Sequence, residues 1–85
     1  MRPTMNKPWI AFHLEEAIEE LQRTLDELTE EDYSEEAFRT AVQHAYNHLN
    51  TAWNSRTETE ERTASCTEED FYRWRDFPTD IYMGR

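Results

Sequence analysis

Two stretches of the chain carry apolar residues spaced four, three, four and three apart, and only a short acidic segment separates them. In the first, Leu14, Ile18, Leu21, Leu25 and Leu28 fall on one stripe of an α-helix, widened by Ala17. In the second, Phe38, Val42, Ala45, Leu49 and Ala52 repeat the spacing, with Ala41 beside them. So narrow a stripe is the seam of a helix packed lengthwise on another, and a short link forces two such helices antiparallel. The pattern predicts an all-α fold built on an antiparallel hairpin, with helix one over residues 8–31 and helix two over residues 34–56. Setting Leu28 opposite Phe38 brings Leu21 opposite Ala45 and Leu14 opposite Ala52, so that large faces small along the seam.

The helix ends agree with these bounds. Pro8 suits an opening turn, where its missing N–H costs nothing, and Asn6 or Lys7 is the capping residue. Glu30, Glu31 and Asp32 sit at the negative end of the helix dipole, so helix one should fray there. Ser34 is a good N-cap for helix two, followed by Glu35 and Glu36 where the dipole favours acids. Tyr33 and Phe38 flank that cap with the spacing of a hydrophobic staple. From 57 to 66 the composition fits either a solvated extension of helix two or a flexible linker. Thr67 with Asp70 imitates a capping box and Pro78 is a stop, which predicts a short third helix over 68–77 and an extended tail over 78–85. A helix this short must dock on something, and Phe71, Trp74 and Phe77 share the side it would use.

The 85 residues are read as one domain, at a size where a folded monomer buries only about 60% of the surface its unfolded chain exposes. Nineteen acidic against nine basic residues give a formal charge of -10, which repels phosphate backbones and anionic lipid. Neither nucleic acid nor membrane is expected as a partner. No apolar run reaches the length of a signal peptide or a membrane span, so the expected location is cytoplasmic. Cys66 is the sole cysteine, which excludes an internal disulfide, and its acidic surroundings do not favour a reactive thiolate.

Charge is distributed unevenly between the helices. Glu15, Glu16, Glu19, Asp26 and Glu27 crowd helix one, whereas no acidic residue lies between Ala37 and Arg56. Off its seam, helix two carries Arg39, Gln43, Tyr46, Asn50, Trp53 and Asn54, a neutral amide and aromatic surface of the kind found at interfaces. Two coverings suit it. Residues 67–85 can fold back and lay Trp74 and Phe77 against Tyr46 and Trp53, or two hairpins can associate through it as a homodimeric four-helix bundle. Arg39, Tyr46, Asn50, Trp53, Phe71, Trp74 and Phe77 are the expected interface residues.

Signals for specific chemistry are sparse. His44 and His48 stand one turn apart, and antiparallel pairing sets Glu20 between them in height, with His13 further along the same flank. These residues suit either a two-histidine, one-carboxylate metal cluster or a simple hydrogen bond from one histidine to Glu20 that holds the helices in register. Arg39 and His44 have an R-x4-H spacing that resembles the HEPN family of helical nucleotide-binding and RNase domains. That resemblance implies a nucleotide-binding role for the two residues, in a longer multi-helix domain that places a residue such as Asn where this chain has Thr40. Gly84 is the lone glycine, so no phosphate-binding glycine loop can form, and the carboxylates of helix one look too solvated for acid catalysis. Arg73 and Arg75 flank Trp74 as in base-stacking surfaces, but Asp70, Asp76 and Asp80 cancel their charge. The expected function is a non-catalytic interaction or assembly module, acting as a homodimer or as an adaptor for another protein, with no cofactor. The alternatives are a small metal-binding protein using His44, His48 and Glu20, or a HEPN-like nucleotide-binding domain.

Overall fold

The computed structural model describes residues 4–81; residues 1–3 and 82–85, with Tyr82 and Gly84, lie outside the described residues. It contains four helices and, among the described residues, no strand: α1 (Lys7–Glu27), α2 (Glu35–Asn54), α3 (Glu60–Ala64) and α4 (Glu68–Trp74). The two long helices pack on each other as a hairpin, and α4 rests against α2.

Local chemistry accounts for each boundary. Asn6 caps α1, its side chain accepting from the Trp9 N–H, with Pro8 in the first turn. The same residue joins the two ends of the hairpin, because its backbone N–H donates to the Arg56 carbonyl and its Nδ2 to the Glu58 carbonyl. α1 stops at Glu27, four residues short of the predicted end, before the acids unfavourable to its C-terminal dipole. Ser34 caps α2 by accepting from the Ala37 N–H at 3.0 Å. Residues 57–66 turn and then form α3, capped by Thr59. α4 opens on a complete capping box, with Thr67 and Asp70 exchanging bonds of 3.0 and 3.1 Å, and ends at Trp74 instead of reaching residue 77.

The hairpin contact keeps Ala17, Ala45 and Ala52 of the predicted seam and leaves its large residues outside. Among the described residues the buried apolar side chains are Ala17, Ala41, Ala45, Ala52, Trp74 and Pro78, and no Leu, Ile, Val, Met or Phe is buried. On α1 the residues turned inward are His13, Ala17, Glu20 and Thr24; on α2 they are Ala41, Ala45, Thr51 and Ala52, followed by the capping Ser55. Each helix is therefore rotated so that a stripe of small and polar side chains makes the contact. Alanine allows close approach of the backbones, and polar side chains at that closeness find partners across the gap.

Candidate functional site: the apolar face of the hairpin

Rotation of both helices leaves their large apolar residues outside. Leu14, Ile18, Leu21, Leu25 and Leu28 of α1 and its cap, with Phe38, Val42 and Leu49 of α2, are between 42% and 62% exposed. On α1 each of Leu14, Ile18, Leu21 and Leu25 immediately follows an inward residue; on α2, Val42 follows Ala41. One residue is a turn of about 100° around the helix axis, and because the helices are antiparallel this turn carries both stripes to the same side of the hairpin. At one end of that side, Ile10 and Leu14 of α1 line a shallow hollow together with Leu49, Ala52 and Trp53 of α2. Eight half-exposed large side chains present apolar area on the order of 700 Å², above the roughly 300–600 Å² of the largest patch on a typical monomer.

Between the helices runs a file of polar groups. Trp9 Nε1 donates to Ser55 Oγ at 2.7 Å, and Ser55 Oγ in turn donates to the Thr51 carbonyl. The His13 and His48 rings follow, with Nδ1 atoms 2.9 Å apart. His44 lies beside His48, and its Nδ1–H donates to Glu20 Oε1 at 2.5 Å, while Arg23 donates to Glu20 Oε2. Burial and the neighbouring His48 lower the His13 pKa to about 4; His48 is lowered by burial and by His44, against opposing pulls from Glu16 and Glu20.

Several predicted site residues meet the tail. Asn50 Nδ2 donates to the Arg75 carbonyl, and Asn54 Nδ2 to the carbonyls of Trp74 and Asp76. Trp53 Nε1 donates to Asp80 Oδ1, which, with Arg56, holds the Asp80 carboxyl below its usual range. Trp74 is buried with its ring edge-on to Trp9, 6.3 Å between centroids, whereas Phe71 and Phe77 stay exposed. The tail thus lies along the amide side of α2, and Trp74 packs on Trp9 of α1. Arg39 and Tyr46 border the apolar face, around a hollow they share with Phe38, Val42 and Gln43.

Of the candidate metal set, Glu20 and His44 bond to each other and His48 pairs with His13. Among the described residues no group of three or more His, Cys, Asp or Glu side chains is arranged to hold a metal ion. Arg39 and His44, five residues apart on one helix, point about 140° away from each other.

Three features escaped sequence reasoning. The His13–His48 pair and the outward face share one signal, a second stripe running beside the first. His13, Ala17, Glu20 and Thr24 repeat the four, three, four spacing one position before the aliphatic stripe of α1, and on α2 Ala41, Ala45, His48, Ala52 and Ser55 have the same spacing and share Ala45 and Ala52 with the first stripe. The third is an ion cluster at the tail: Asp70 is buried and accepts from Arg62, bidentately, and from Arg73. Its signal was one Arg two turns before a capping-box Asp.

Comparison with known proteins gives no relative: no protein-family model matches the chain, and no curated protein or solved structure is significantly similar to it.

Proposed function

We propose that this chain is a non-catalytic assembly module that pairs with a second copy of itself through the apolar face, two hairpins making a four-helix bundle. One observation carries the reading: every large aliphatic residue of the two helix stripes lies outside the hairpin, while the inside is alanine and polar groups. Amphipathic helices gain most of their stability by burying the apolar stripe. A hairpin with that stripe in water lacks its main stabilising term, and a copy with the same face supplies the missing surface. The exposed area, on the order of 700 Å² per chain, is close to the roughly 800 Å² per partner of a standard stable interface. A two-fold pairing is self-complementary by symmetry, so one face is enough.

Arg39 and Tyr46 then form a polar rim beside Phe38 and Val42, in keeping with interfaces that surround an apolar centre with polar groups. Asn50 and Trp74 belong to the docking of the tail, Phe71 and Phe77 stay exposed, and Trp53 bonds the tail at Asp80 while lining the hollow with Leu14 and Leu49 at the end of the apolar face.

Substitution of Ile18, 62% exposed, tests the reading directly. Ile18→Glu leaves the inner hairpin contact untouched and sets a charge in the centre of the dimer face. Size-exclusion chromatography with light scattering should show the variant at half the wild-type mass or less folded, and Glu19→Gln on the acidic side should keep the wild-type mass. An Ile18→Glu variant that elutes with the mass and helix content of the wild type would overturn the proposal.

A further inference from the structure

The His13–His48 pair sits inside the hairpin, away from the apolar face, and packing alone does not explain its chemistry. His13 is buried, its ring edge-on to Trp9 and near Phe12, and its Nε2 has no hydrogen-bond partner. Its Nδ1 lies 2.9 Å from His48 Nδ1, so one of these atoms carries a proton and donates it to the lone pair of the other. The pair spans the gap between α1 and α2 and is one of the few polar links that do so.

We infer that this histidine pair is a proton-sensitive clasp, closing the hairpin at neutral pH and loosening it on acidification. With both rings neutral, one N–H joins them. A first extra proton is tolerable at His48, which reaches solvent and faces Glu16 and Glu20 from α1 and His44 from its own helix. Its Nδ1–H must then be the donor, which places the remaining His13 proton on the buried Nε2, where no acceptor waits. A second extra proton puts two N–H groups and two positive charges face to face at 2.9 Å, and the contact must open. From α4, Trp74 packs against Trp9 at this end of the hairpin and the charge of Asp70 is taken by Arg62 and Arg73, while from α3 Glu60 lines a hollow with Trp9 and Phe12. Burial and His48, and no carboxylate, set the His13 pKa.

The sign follows from linkage. A histidine whose folded pKa lies below its ordinary 6.5 binds its proton more readily when unfolded, so stability is complete above about 6.5. It falls as pH drops from there to about 4, the folded value for His13. Because both residues belong to one chain, the effect acts on closure of each hairpin and does not depend on whether two hairpins associate.

The test compares the full chain with His13→Phe/His48→Phe, which keeps two aromatic rings and removes both titrating groups. Thermal midpoints by circular dichroism at pH 7.5, 6.5, 5.5 and 4.5 should fall in the wild type relative to the variant, with the gap opening below pH 6.5. The size of the gap should be the same at high and low protein concentration. Parallel curves would overturn the inference. Carbon-bound proton shifts of the imidazole rings in the wild-type protein give a second reading that needs no variant: His13 should remain neutral down to about pH 4. Titration of His13 near 6.5 would equally sink it.

Discussion

Single residues decide how closely the two helices approach. Ala45 is buried at the middle of the contact, and Ala45→Leu forces extra methylenes into it, with an expected loss of about 1–3 kcal/mol in chemical denaturation. An enlargement at least as great on the outer stripe, Val42→Phe, should cost far less in the hairpin itself. Ser55 is fully buried and accepts from the Trp9 indole while donating to the Thr51 carbonyl. Ser55→Ala leaves that indole N–H with no partner at the capped end of α2, which should cost about 1–3 kcal/mol by the same measurement. The residue scale was partly legible in advance. Glu20 accepting from His44 follows from helical spacing and antiparallel pairing. The pairing of His48 with His13 does not, since it depends on a rotation of each helix that periodicity leaves undetermined.

Elements were more legible than contacts. Ser34 and the Thr67–Asp70 box announce their helices because a cap is a local bargain between a side chain and the next turn's N–H groups. Ser34→Ala should accordingly cost about 1 kcal/mol of stability. The α1–α2 seam was misplaced on α1 because the stripe of Leu14, Ile18, Leu21 and Leu25 has the same period as that of His13, Ala17, Glu20 and Thr24 one residue before it; on α2 the predicted Ala45 and Ala52 are inside, and the larger Phe38, Val42 and Leu49 are not. In a lone hairpin the small stripe takes the inside, since it alone permits close backbones with paired polar groups. α3 was undecided because its docking depends on Arg62 reaching Asp70 from outside its own turn. The Arg62 guanidinium, together with the Thr67 backbone N–H, holds the Asp70 carboxyl well below the usual carboxylate range. A carboxylate with a depressed pKa stabilises above its ordinary value of 3.8 and loses that contribution as pH falls below it. Asp70→Asn should therefore release the tail at neutral pH as acid does: amides of residues 60–74 lose protection in hydrogen exchange while those of α1 and α2 keep theirs.

For the whole molecule, the proposed pairing sets exposed apolar surface against net charge. Two chains of formal charge -10 that associate repel one another, and the Debye length contracts from about 30 Å at 0.01 M salt to about 10 Å at 0.1 M. Added salt should strengthen self-association and raise the melting temperature, the reverse of an interface held by opposite charges. Association also links stability to concentration, so the midpoint of thermal unfolding should rise as protein is concentrated. The central claim is that the hairpin is half of a structure. Sedimentation equilibrium across a wide range of concentrations measures this most directly: the account predicts a species of twice the 10.3 kDa chain mass, dissociating on dilution with loss of helix. A single species of 10.3 kDa that keeps its full helix content at every concentration would contradict it.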